Sequence, residues 1–305
     1  MKASLPSKVA VLLSGGVDSS VSAFLLQKLG YEVVGLTSKM VDDENFNQVA
    51  KNAKNVADSL GIKHYVLDLS SEFKKNVIDY FENDYKNGKT PNPCIICNKT
   101  IKWGALFDYA INELKCDFVA TGHYAKIENQ NGVYSLKAAS DSKKDQLYFL
   151  FELSQYQLSK TLFPLCGLTK SEVRKIAAEN NLPSKSAKES QDVCFIKKPY
   201  TTKKYLLEKF GQKNGNFVLK SELDECCVKL KNVVIQNSNY CEKEFEAFVK
   251  IRYNMNYAKG KITLESNNEA TVTFETVVNS VTNGQACVFY DLNDKSLIGG
   301  GWIVK

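Results

Sequence analysis

Val9-Ala10-Val11-Leu12-Leu13-Ser14-Gly15-Gly16-Val17-Asp18-Ser19-Ser20 is the stretch on which the reading of this 305-residue chain turns. Its apolar start reads as a buried strand. Val21, Phe24, Leu25, Leu26 and Leu29, just beyond it, fall on one face of a helix. A strand, a glycine-rich turn and a helix in that order make a place for phosphate. Gly15 and Gly16 let the backbone come close, and the first amides of the helix, aided by its dipole, face the anion. No lysine follows the glycines, so the common G-x-x-x-x-G-K-[ST] phosphate loop is excluded.

Outward from this loop, strand and helix patterns alternate. Glu32–Thr37 and His64–Leu69 read as strands, and Cys116–Thr121 as another. Helical faces lie between them, through Val49, Ala53, Val56 and Leu60, through Phe73, Val77, Tyr80 and Phe81, and around Leu106 and Tyr109. This order predicts an α/β fold: a Rossmann-like parallel sheet with ligands at the carboxyl ends of its strands. From Lys143 to about Asn181 the patterns are helical, with a capping box at Thr169 and Glu172. Residues from Pro199 to about Tyr240 are polar and weakly patterned. Short alternating strands from Phe245 onward suit a small antiparallel β-barrel. The expected division is 1–198, a short central segment 199–245, and a C-terminal barrel 246–305.

Apolar residues make up 44% and charged residues 24%, ordinary for a soluble globular chain. No apolar run approaches the ~18 residues of a membrane span, and the N-terminus lacks the apolar stretch of a signal peptide. A cytoplasmic location is the expectation. Net charge is +6, and Lys137–Lys204 alone carries an excess of that size. Such a field suits a polyanion such as RNA or a plain solvated surface. Arg174 and Arg252 are the sole arginines, hence the sole planar forks for phosphate or bases.

Nine cysteines in a cytosolic chain do not suggest a disulfide framework. Cys116, Cys166 and Cys287 have apolar neighbours and read as core, while Cys226, Cys227 and Cys241 suggest no role. Cys97 lies near the start of a helix that follows the stiff Pro91-Asn92-Pro93 loop, with Lys99 and Lys102 close by. Those surroundings should depress its pKa and make a nucleophilic thiolate. Cys94 and Cys97 could also be half of a zinc site, but no second cysteine pair accompanies them, and His64 and His123 are the only histidines. Cys194 sits in another lysine-flanked loop and reads as reactive.

Several motifs recur in one order: the loop at Ser14, Asn92-Pro93-x-x-x-Cys97-Asn98-Lys99, Ala120-Thr121-Gly122-His123-Tyr124, and Lys144-Asp145-Gln146-x-Tyr148-Phe149-Leu150. Leu168-Thr169-Lys170-x-Glu172-Val173-Arg174, Ser190-Gln191-Asp192-x-Cys194-Phe195 and Gly284-Gln285 complete the set. Together they resemble the tRNA-specific 2-thiouridylase family of PP-loop ATP pyrophosphatases. The resemblance runs from residue 8 to about 198 and again from about 248 to the end.

It implies a tRNA sulfurtransferase. The wobble uridine of tRNA is adenylated at the α-phosphate of ATP, with Mg²⁺, and sulfur then displaces AMP. By resemblance, Cys194 carries the persulfide and Cys97 is the nucleophile that forms a transient disulfide with it. ATP is implied for Leu12, Leu13, Ser14, Gly15, Gly16, Val17, Asp18, Ser19, Ser38 and Gly122. Contact with tRNA or placement of the flipped base is implied for His123, Lys144, Asp145, Gln146, Arg252, Tyr253 and Gln285. A cysteine desulfurase or a sulfur-relay protein is the implied donor.

The chain departs from the family at Ser38, usually Met, and at Cys94, often Asp. The second change gives three thiols, Cys94, Cys97 and Cys194, that could ligate a [4Fe-4S] cluster instead of working through a persulfide. The central segment is also too short for the family's histidine- and glycine-rich stretch. Two rivals stand beside this reading: an ammonia-using amide ligase, which needs no thiol pair, and an RNA-binding protein with a vestigial nucleotide pocket.

Overall fold

The computed structural model describes residues 6–41, 44–187, 193–196, 201–210, 224–240 and 242–305. Ser190-Gln191-Asp192 and Cys241 lie outside that set. The N-terminal half alternates as the patterning predicts, through β1 (Lys8–Leu12), α1 (Val17–Lys28), β2 (Glu32–Lys39), α2 (Glu44–Leu60) and β3 (Lys63–Asp68). Two helices, α3 (Ser70–Phe73) and α4 (Asp79–Lys86), are joined by a π-helical stretch. Then α5 (Pro93–Cys97) runs on into π-helical Asn98–Leu106.

β4 (Phe118–Ala120) returns beside β1, and a hairpin follows, β5 (Lys126–Gln130) and β6 (Val133–Lys137). Next come α6 (Gln155–Ser159), the two-residue strand β7 (Thr161–Leu162), α7 (Lys170–Glu179) and α8 (Thr202–Phe210). The parallel sheet has the order β3-β2-β1-β4-β7. Chain direction around the sheet reverses between β1 and β4, so their carboxyl ends open a crevice of the kind that takes ligands in such folds. Val9, Ala10 and Val11 are fully buried at its centre.

β7 was not expected, since Lys143–Asn181 reads as helical throughout. It is too short to show a period and is held by pairing with β4. The hairpin was also missed. Its turn is Asn131-Gly132, both with positive φ (53° and 88°), the commonest two-residue hairpin signal.

The second half is a closed antiparallel barrel, β10-β11-β8-β13-β12-β9. Its strands are β8 (Glu225–Ile235), β9 (Glu244–Lys250), β10 (Ala258–Leu264), β11 (Ala270–Val278), β12 (Ala286–Tyr290) and β13 (Leu297–Val304). β8 corrects the expected boundary at 246. Its burial alternates weakly, with lysines and cysteines facing solvent, which hid it from a period-2 reading. Closure needs it, because it pairs with both β11 and β13. One apolar core joins the two halves: Ala286, Val288, Tyr290 and Leu297 of the barrel share it with Ile95, Trp103 and Phe151.

Candidate active site

At the end of β1 the chain turns through Gly15, whose φ of +73° is left-handed, and enters α1 from an extended Gly16. A Cβ on Gly15 would sit 2.6 Å from Cβ of Asn52, so backbone conformation and space both demand glycine. Ser19 Oγ accepts from the Ser14 amide at 3.2 Å and donates to the Gly16 carbonyl at 3.2 Å, which fixes the loop's shape. Leu13 ties the loop to β2, its amide donating to Leu36 and its carbonyl accepting from the Thr37 hydroxyl at 2.8 Å. Ser38 lies next along β2, at its carboxyl end. The amides in the first turn of α1 have no acceptor within the helix, which leaves them for a ligand.

Gly122, just past β4, presses against this turn. A Cβ there would lie 2.8 Å from the Asp18 Cβ and 2.9 Å from the Ser19 nitrogen. The Asp18 carboxylate is bound from two distant segments. Lys170 Nζ, at the first residue of α7, donates to both oxygens at 2.6 Å, and Tyr124 OH donates at 2.9 Å. Thr169 and Glu172 form the capping box that starts α7 there. The capping box was readable, but nothing in the sequence says that the next residue reaches Asp18 across 152 positions.

The three thiols come from α5 and the Val193–Ile196 turn. Pro93 and Cys94, not Cys97, occupy the first turn of α5. Cys97 is buried among core side chains, whereas Cys94 and Cys194 are exposed. Burial pushes the Cys97 thiol up to about 12 and that of Cys194 up to about 11, and it raises Cys94 as well. These directions overturn the expected depressed pKa. Lys102 pulls all three the other way, without winning. Lys99, expected to help, turns instead to the buried carboxylate of Glu152, which also accepts from Trp302 Nε1 at 2.8 Å.

Cys97 and Cys194, far apart along the chain, sit near enough for the charge of one to raise the other, and Cys94 raises both. Phe195 anchors the Cys194 turn, its ring edge-on to Phe73 at 5.9 Å and Phe81 at 5.2 Å. Among the described residues no group of three or more His, Cys, Asp or Glu side chains is set to hold a metal ion. Cys97 is buried while Cys94 and Cys194 are exposed.

His123 is buried between Trp103 and Phe163, with ring centroids at 5.3 and 6.2 Å. Lys102 Nζ donates to its Nε2 at 3.4 Å, which leaves Nδ1–H to donate to Thr121 Oγ1 at 2.7 Å. Burial holds this imidazole neutral, well below its usual range. Gln146 uses its side-chain oxygen on the Tyr124 amide at 3.0 Å.

The remaining residues expected at RNA gather at the junction with the barrel. Tyr253 packs on Phe149 at 4.6 Å, near Lys144 and Asp145, whose carboxyl is raised by burial. Arg252 is exposed and donates to the Ser280 carbonyl at 2.7 Å. Tyr148 OH donates to the Ala286 carbonyl beside Gln285 at 2.9 Å. The Thr90 amide donates to the Asn283 carbonyl at 2.8 Å, so the Gln285 loop rests on the segment that leads into Cys94.

The tRNA methyl transferase HUP domain model matches residues 7–198, and the aminomethyltransferase beta-barrel domain model matches 224–303. A tRNA-specific 2-thiouridylase MnmA of Lachnoclostridium phytofermentans is 36% identical, covering 98% of this chain and 99% of its own length. The chain belongs to the tRNA-specific 2-thiouridylase family. Another 2-thiouridylase, MnmA 2 of Clostridium tetani, is 38% identical over the same shares of both chains. Each alignment spans 358 positions, more than this chain has residues, so these 2-thiouridylases carry segments it lacks. Among solved structures, a 4-thiouridine synthetase–RNA complex with bound ATP aligns at a TM-score of 0.42 with 20% identity, covering 68% of this chain and 50% of that one.

Proposed function

We propose that this 2-thiouridylase-family chain is an ATP-dependent tRNA sulfurtransferase that converts the wobble uridine of tRNA to 2-thiouridine, releasing AMP and pyrophosphate. What supports the proposal most is that Cys194, far along the chain, lies close enough to Cys97 to raise it electrostatically, with Lys102 acting on both. An amide ligase needs no such pair, and an RNA-binding protein needs no thiol at all.

The chemistry follows in two stages. ATP lies along the loop from Leu12 to Ser19, with its phosphates on the α1 amides and Gly122 and Ser38 at its sides. Asp18, the carboxylate at this helix start, suits a Mg²⁺ that keeps most of its ligands from water and phosphate. The uracil O2 attacks the α-phosphorus and pyrophosphate leaves. The terminal sulfur of a Cys194 persulfide then attacks C2, and AMP departs with the former O2. Cys97, as thiolate, attacks the Cys194 sulfur, which forms the Cys97–Cys194 disulfide and releases 2-thiouridine. A dithiol reductant must restore the pair by two electrons. Lys102 is the cation placed to offset the thiolate in an otherwise desolvating pocket.

We assign catalysis to residues 1–198 and part of the tRNA surface to the barrel, with the short segment between them as connector. Lys144, Asp145, Arg252, Tyr253 and Gln285 border the junction where an anticodon would enter. For His123 and Gln146, buried or tied to backbone, the geometry favours shaping that entry over direct contact. The sulfur comes from a cysteine desulfurase or a relay protein. Among the described residues no helix is long and apolar enough to cross a membrane, in keeping with a cytoplasmic setting. The test is nucleoside mass spectrometry of unmodified tRNA incubated with protein, ATP, Mg²⁺, a cysteine desulfurase with cysteine as persulfide source, and a dithiol reductant. 2-Thiouridine should appear; its absence while another substrate consumes ATP would refute the assignment.

A further inference from the structure

We infer that Lys170 is a catalytic residue of the adenylation step: its ammonium, held on Asp18 at the start of α1, neutralises the pyrophosphate that leaves. This rests on the nucleotide reading above and names a second, protein-borne cation beside the Mg²⁺ of that reading. The loop itself carries no lysine, and its one acid is Asp18. An arriving triphosphate would meet that carboxylate head on, and the backbone amides of the loop alone would not offset both negative groups.

Lys170 removes the conflict. It spans from α7 to contact both Asp18 oxygens at 2.6 Å, while Tyr124 OH holds one of them at 2.9 Å. The Lys170 side chain is 13% exposed and that of Asp18 is 33% exposed, so the pair is partly open to solvent and not sealed in the core. The α7 backbone amide of Lys170 is engaged separately by Asp141 at 2.9 Å, which fixes the stem and leaves the ammonium on a flexible chain. In the reaction, the bond from uracil O2 to the α-phosphorus forms as the bond from that phosphorus to the bridging oxygen breaks. The electron pair stays on the bridging oxygen, the uracil N3 proton passes to solvent, and Lys170 keeps its protons and supplies charge alone.

Isothermal titration calorimetry of the full chain with inorganic pyrophosphate, ATP and AMP tests this. Lys170→Met should weaken pyrophosphate and ATP by about 10- to 100-fold, the scale of one lost charge-assisted contact, and leave AMP within about twofold. Lys170→Arg should recover most of the loss. Unchanged pyrophosphate affinity, or equal weakening of AMP, would overturn the proposal and leave Lys170 a structural partner of Asp18. Should the methionine variant misfold, Lys170→Gln keeps a donor for Asp18 and must show the same selective loss. If the unaltered chain binds neither ATP nor pyrophosphate, the nucleotide reading itself falls.

Discussion

The phosphate loop and the thiol pocket are built in opposite ways. The loop comes from one unbroken segment, Leu12–Ser19, and exposes backbone amides to water and ligand. The thiol pocket draws on α5, the Val193–Ile196 turn and a barrel loop, and it desolvates the groups it gathers. Anion binding tolerates solvent because its charges are offered by the backbone. Sulfur transfer needs water kept away from a persulfide, and the cost is a thiol that does not ionise readily.

The largest effect that would sharpen this contrast is removal of one thiol. Cys97→Ser and Cys194→Ser should each reduce 2-thiouridine formation by at least about three orders of magnitude, since each removes one of the two sulfurs of the transfer step. ATP binding, measured by calorimetry, should stay within about twofold. A variant that loses both together would show that the two regions are one site.

Next comes pH. With its pKa pushed up to about 12, Cys97 should react with iodoacetamide at pH 8 roughly a thousandfold more slowly than exposed Cys226 or Cys227. Mass mapping of alkylated peptides over time would show it. The sign for stability follows from the same shift. A raised thiol pKa stabilises the folded chain fully below the unfolded value near ~8.5, and that contribution is lost as pH rises toward 12. Cys97→Ala should therefore flatten the fall in melting temperature across this alkaline window. Fast labelling at pH 8 would mean the pocket opens.

What the sequence made legible tracks the same division. Ser14–Ser19 could be read because a strand, two glycines and a helix face are all local signals. The parallel sheet followed from alternation alone. The pull of Lys99 toward Glu152 and of Lys170 toward Asp18 could not be read, because both depend on which segments the fold brings side by side. The direction of the thiol shifts failed for the same reason: neighbouring lysines are visible in a sequence, whereas burial is not. β8 is hidden because its outward lysines and cysteines blur the period, while the hairpin is legible locally in Asn131-Gly132, a turn pair with positive φ at both residues.

A smaller effect probes the contact between β4 and the loop. Gly122→Ala places a methyl 2.8 Å from the Asp18 Cβ and 2.9 Å from Asp18 and Ser19 backbone atoms, with no flexible side-chain end to yield. The variant should lose about 1–3 kcal/mol by urea denaturation and weaken ATP more than it slows thiol labelling. Equal damage to both readouts would argue that the loop's shape reaches the thiols.

The smallest effect isolates the start of α7. Thr169 Oγ1 accepts from the Glu172 amide, and the Glu172 carboxylate accepts from the Thr169 amide at 2.7 Å, which holds that carboxyl below its usual range. Thr169→Ala removes one half of this box and should cost about 1 kcal/mol. Because the Lys170 amide keeps its separate bond to Asp141, the ammonium should still reach Asp18, and ATP affinity should change by less than about threefold. A much larger loss of ATP affinity at that modest cost in stability would show that the cap, not Asp141, sets where Lys170 points, and would draw α7 wholly into the phosphate site.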